Sequence, residues 1–261
     1  MFTMTLDEWA KYRDLLKKLS DKASDEFRDA VFSVNGRWHG VGLGNIPREE
    51  LLEFATALVT KYGEGASALA CEMYDAIATI SGVYVPPAEP AEIAKIGEVA
   101  KTIYGAAKTG NEDLVSNAVG RLVKRAGQDT TLKNAIRDGA QFAWIPSGDT
   151  CAFCLALASR GWQTATAKAL RNGHAEHIHS NCDCAYATNF NNSVNYAAYD
   201  PDKYYDMWKN AEGDNAEEKL NSMRRDFYQQ NKERINAQKR SAYEKRKELN
   251  APSAEEFNSD N

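Results

Sequence analysis

The chain has 261 residues with 32 basic and 37 acidic side chains, a net charge of −5, and a 43% hydrophobic and 26% charged composition. These proportions support a folded core of one large or two modest domains and argue against a protein whose whole surface binds nucleic acid. No run approaches the ~20 apolar residues of a membrane span, so no membrane partner is expected, and the acidic, amphipathic stretch 1–16 does not read as a secretory signal.

The first half reads as helices. Thr5 and Glu8 form a capping box, and Leu6, Trp9, Leu16, Leu19, Phe27, Val31 and Val34 follow at helical spacing until Asn35-Gly36. The glycine-rich 36–45 has no phosphate-loop pattern and reads as a plain loop. Pro47 opens a second helix with the apolar face Leu51, Leu52, Phe54, Ala55, Leu58, Val59 and Tyr62. Gly63 and Gly65 interrupt it, and a further helix is expected over 66–80. Cys71 lies in that helix among apolar neighbours and reads as core filler rather than chemistry. A proline-rich break over 81–92 precedes two more helices, over 91–108 and 112–126. The expected unit is a multi-helix bundle spanning 1–137.

The character changes at 138–190. A short apolar run with Phe142, Trp144 and Ile145 fits a strand or a helix end. Cys151-x-x-Cys154 then opens a helix, and after 24 residues come His179, Cys182 and Cys184 as H-x2-C-x-C. Four of the five cysteines gather here, without an export signal, which points to reduced thiols and metal rather than to disulfides. Zn²⁺ takes four N or S ligands, so the spacing predicts one structural zinc. Cys151 and Cys154 are the firm pair. His179, Cys182 and Cys184 supply the other two, with Cys184 slightly favoured because it adjoins a β-like stretch. His174 and His177 are outsiders.

A catalytic reading competes. His174-Ala175-Glu176 is the H-x-E half of a nucleobase deaminase signature and Cys151-x-x-Cys154 resembles the other half. The order is reversed, no proline precedes Cys151, and two further cysteines would sit unused beside the open site. No H-E-x-x-H is present either, so the metalloprotease pattern fails. The expectation is therefore a protein that is not an enzyme. A host zinc-binding adaptor is the remaining alternative.

Trp144, Pro146, Asp149, Cys151, Cys154 and Leu157, followed by His179-Ser-Asn-Cys-Asp-Cys184, resemble the head-morphogenesis module of tailed bacteriophages, the MuF-like minor capsid family. The resemblance covers 134–189. Members commonly end the module H-P-N-C-R-C, so Ser180 and Asp183 depart from the pattern and leave the ligands intact. It implies a virion component at the portal vertex or capsid interior, with the portal or the major capsid protein as partner and zinc as a staple.

Residues 191–215 form an aromatic connector with Tyr196, Tyr199, Tyr204, Tyr205 and Trp208, whose expected fate is packing inside the protein. Residues 216–249 read as a long charged helical arm with ten basic and six acidic side chains and few apolar anchors. The arm reads as a solvated charged helix or as an element that docks on portal or capsid, with a weak DNA contact as a lesser use. Residues 250–261 have the composition of a disordered tail. The expected fold class is mainly α: a helical bundle, a small zinc-stapled α+β module and a charged C-terminal helix.

Overall fold

The computed structural model describes residues 1–109, 111–147, 151–167 and 184–249; the tail at 250–261 lies outside them. The fold is mainly helical with a small sheet. Strand β1 (Phe2–Met4) leads into α1 (Leu6–Phe32), whose start is the expected box: Thr5 N–H donates to Glu8 Oε2 (2.8 Å) and Glu8 N–H to Thr5 Oγ1 (3.2 Å). The helix ends at Phe32, sooner than its apolar pattern suggested, and Val34 is 70% exposed. The chain folds back over that end, where a Cβ on Gly36 would lie 2.3 Å from the Asp29 carbonyl.

Helix α2 (Arg48–Ile80) is one uninterrupted rod, not the two helices expected around Gly63 and Gly65. Glycine within a helix costs about 1 kcal/mol relative to alanine. Here it permits close approach: a Cβ on Gly63 would sit 3.3 Å from Ile93 Cγ2 and 3.5 Å from Ala126 Cβ. Helix α4 (Glu112–Asp138) also outruns its expected end at 126, closing where Gly139 takes a φ of 65° and returns its N–H to Ala135. It is the axis of the fold, packed against α1, α2, α3 (Ile96–Ala107) and the sheet.

Helix α3 starts later than expected because the chain before it is held extended. Residues 83–95 form a strap across α2 and α4. Ala88 N–H donates to Asp75 Oδ1 (2.9 Å) and Ala91 N–H to Thr130 Oγ1 (3.0 Å). Asn134, fully buried, accepts from Glu89 N–H and donates to Glu89 C=O, both at 2.9 Å. Arg137 donates to the carbonyls of Pro86 (2.7 Å) and Pro87 (3.0 Å), and Lys133 to that of Pro90 (3.0 Å). Side chains on α2 and α4 thus satisfy backbone groups that would otherwise have wound 91–95 into the helix.

Strand β2 (Gln141–Ile145) resolves the apolar run as a strand. It is the centre of a three-stranded sheet, antiparallel to β3 (Gln163–Thr164) and to β4 (Ala185–Asn189). After β4, Asn191 and Asn192 adopt left-handed φ values of 53° and 54°, which asparagine tolerates. Asn189 spans the turn, donating to Val194 C=O (2.7 Å) and accepting from Val194 N–H (3.1 Å). The turn delivers β5 (Val194–Tyr196) to β1, with which it pairs in parallel. One hydrophobic core runs from Met4 to Tyr199.

The first part of the aromatic connector packs inward, while Tyr205 is 53% exposed. Tyr196 meets Trp9 edge-on at 5.4 Å and Trp162 at 5.5 Å, and Tyr199 stacks on Tyr204 of α6 (Pro201–Asn210). Helix α7 (Ala216–Leu249) is the expected arm, and its base is anchored: Ser222 and Met223 are buried and the helix lies on α5 (Ala152–Ala158), while Tyr243 is 69% exposed. Ending the chain after Ala237 is therefore expected to leave the melting temperature within about 2 °C. Ending it after Asn215 uncovers the Met223 contact and should lower it by about 5 °C. Thermal unfolding followed by circular dichroism checks both.

Candidate metal centre

The site is built where β2 hands over to α5. Cys151 is the capping residue that precedes α5, with extended dihedrals (φ −72°, ψ 159°), and its carbonyl accepts the first helical hydrogen bond, from Leu155 N–H (3.1 Å). One turn later Cys154 faces the same way, and the two Sγ atoms stand 3.7 Å apart. Two thiolates on one tetrahedral zinc, each at about 2.3 Å, are separated by about 3.8 Å. The pair therefore fits a shared zinc without rearrangement. Cys154 is 2% exposed and Cys151 half-buried, so one thiol belongs to the core and the other to its rim.

The rest of α5 is held rigidly beneath the pair. Leu157 and Ala158 are core residues, and the Tyr199 hydroxyl donates to the Ala158 carbonyl at 2.7 Å. Cys184 enters from the neighbouring strand. It directly precedes Ala185, which pairs with Ile145, so the end of β2 and the start of β4 lie side by side. Both cysteine-bearing stretches adjoin that one edge of the sheet. Cys184 is 4% exposed, and its carbonyl accepts from Gln128 Nε2 of α4 (3.1 Å). Burial pushes the Tyr204 phenol up from its ordinary value, and the nearby Cys184 thiol adds to the shift.

Among the described residues no group of three or more His, Cys, Asp or Glu side chains is gathered to hold a metal. His179 and Cys182 lie outside the described residues, as do Asp149, His174, Glu176 and His177. Cys71, set aside on sequence grounds, is half-buried on α2, and burial raises its thiol pKa. The described part of the site is therefore the Cys151–Cys154 pair with Cys184 at the adjoining strand end.

The VG15 protein family model matches residues 3–211, four-fifths of the chain, and takes in every element from the β1–β5 pair to α6. The chain belongs to the VG15 protein family. VG15 is a viral and phage family, which makes this a phage protein of the structural, virion-related kind. No curated protein and no solved structure matched it. No helix among the described residues of this VG15 protein is long and apolar enough to cross a membrane.

The family match stops just past the end of α6, so it covers the bundle, the sheet and most of the connector, and α7 lies beyond it. Helix α7 walls a cleft of about 580 Å³, with Trp9, Arg13, Leu155, Tyr204 and Phe227 in its lining. The sequence carried no local sign of it, because its walls come from α1, α5, α6 and α7.

Proposed function

We propose that this VG15 protein is a minor capsid, head-morphogenesis component of the MuF-like kind, not an enzyme, that associates with the portal or the major capsid protein inside the virion. Cys151, Cys154 and two of His179, Cys182 and Cys184 would hold one Zn²⁺. The metal would act as a closed four-ligand staple, supplying folding free energy rather than chemistry. The observation that carries this reading is the 3.7 Å thiol pair at the head of α5, in a phage-family chain. The residues around the pair are those of a scaffold. Cys154 is sealed in the core, and Tyr199 and α7 brace α5 from the connector and the arm. The charged α7, lying beyond the family match, is the proposed docking element, with DNA contact a lesser use of its net +4 charge.

Purified under reducing conditions, the chain is expected to carry about one zinc per molecule, measured by native mass spectrometry. Cys151→Ser or Cys154→Ser should lose it and lower the melting temperature by about 10 °C, the shift that roughly 3 kcal/mol produces in a chain of this size. A fully folded, metal-free wild type with the melting temperature of the variants would overturn the staple. Head incorporation is a separate readout. Immunodetection of the chain in purified heads, and its loss on deleting α7, tests the capsid role.

A further inference from the structure

The strap across α2 and α4 shows a three-residue rhythm. Val85, Ala88, Ala91 and Ala94 are half-buried, while the two residues between each, Pro86-Pro87, Glu89-Pro90 and Glu92 with the half-buried Ile93, turn mostly outward. A period of three with prolines at 86, 87 and 90 is the signature of a polyproline II helix, which has three residues per turn and no hydrogen bonds of its own. Its missing hydrogen bonds are supplied from outside, by Asp75, Thr130, Lys133, Asn134 and Arg137. Every one of those partners comes from α2 or α4.

Two edges of the strap are left for solvent. Tyr84, Pro87 and Pro90, at spacing three, form one edge, and Pro86, Glu89 and Glu92 the other. Tyr84 is 100% exposed, the fullest exposure of any large apolar side chain among the described residues, ahead of Met1 at 95%. The acidic edge is already compensated, Glu89 by Lys133 (3.1 Å) and Glu92 by Lys95 (2.9 Å). What remains is a fixed apolar ridge of one phenol ring and two pyrrolidine rings, about 19 Å long at 3.1 Å per residue.

We infer that this ridge is a docking site for a partner protein that reads polyproline through a groove lined by aromatic side chains. Such grooves grip two edges of a three-edged helix by stacking on proline and tyrosine rings, and they gain from a ligand that is already extended. Here the extension is held in advance by α2 and α4, and the bonds that hold it leave the rings of Tyr84, Pro87 and Pro90 clear. Because the strap's carbonyls at Pro86, Pro87 and Pro90 are engaged by Arg137 and Lys133, recognition falls on ring surface rather than on backbone. Neither the zinc nor the arm takes part.

The test exchanges Tyr84 for photoreactive 4-benzoylphenylalanine in the full chain, made in infected cells, with irradiation of assembled heads. The expected product is an adduct with one other protein, through a peptide containing Trp or Tyr. Adding Pro87→Ala and Pro90→Ala should reduce its yield by about tenfold or more, the scale of truncating two central contacts. Circular dichroism of the same variants confirms the fold, since both side chains point away from it. Heads that contain the chain but yield no adduct overturn the ridge. So does an adduct only with a second copy, with DNA or with lipid, or one indifferent to the proline changes. Absence of the chain from heads counts against the capsid role instead, and the cross-link is then scored in the soluble fraction by the same outcomes.

Discussion

Gly120→Val is expected to cost about 4 kcal/mol and to lower the melting temperature by about 10 °C, measured by thermal and urea unfolding. At this point α1 and α4 all but touch. A Cβ on Gly120 would stand 2.3 Å from Ser24 Oγ and 2.7 Å from the Ser20 carbonyl oxygen. The Ser24 hydroxyl could swing aside, although it already donates to Ser20 C=O (3.1 Å), but the carbonyl is helix backbone and cannot. The two helices must part, and α4 is the axis against which α2 and α3 also pack. Gly120→Ala should be milder, because alanine's helical preference returns up to about 1 kcal/mol of a smaller clash. Gly105→Ala in α3 is the control. Nothing lies within 4 Å of the added methyl, so it should stabilise by about 0.5–1 kcal/mol. Equal effects at Gly120 and Gly105 would show that close approach is not what the glycine at 120 provides.

Asn134→Ala should be nearly as damaging, at about 3 kcal/mol. The side chain is fully buried and makes three hydrogen bonds: two to Glu89 and one to the Thr130 carbonyl (2.8 Å). Alanine leaves the Glu89 N–H and C=O facing α4 without partners, at about 1–3 kcal/mol for each unsatisfied group. The loss should be local as well as global: amide exchange at Glu89 and Ala91 should accelerate before that of the α4 core. Asn134→Asp should be worse at neutral pH, since it removes both donated bonds and buries a charge. Its folded-state pKa is then raised above the unfolded value, so stability should recover as the pH falls toward the acid range. A strap that exchanges at its wild-type rate in Asn134→Ala would mean the prolines alone keep it extended.

What could be read from the sequence was local. The Thr5–Glu8 box closes within four residues, and the arm at 216–249 was legible as an uninterrupted helical stretch. Cys151 and Cys154 needed only their own spacing to be recognised as a pair. The features that were missed depend on partners far along the chain. Gly63 and Gly65 look like breaks until Ile93, Ala126 and Leu19 are seen against them. The strap reads as a helix start at 91 until Thr130 and Asn134 claim its amides. β1 is three residues long, too short for any periodicity to show, and its pairing depends on β5 nearly two hundred residues later.

That last pairing has a temporal consequence. β1 and Trp9 leave the ribosome nearly two hundred residues before their partners Val194–Tyr196 are made. At about 5–20 residues per second, the first strand waits roughly 10–40 s for its mate. The bundle helices can assemble meanwhile, but the indole of Trp9 has no Tyr196 to meet until the whole cysteine-bearing segment has been translated. A nascent chain that stalls within that segment therefore displays its unmatched β1 and Trp9 to chaperones and proteases, and only a chain with every candidate ligand already synthesised can hide them.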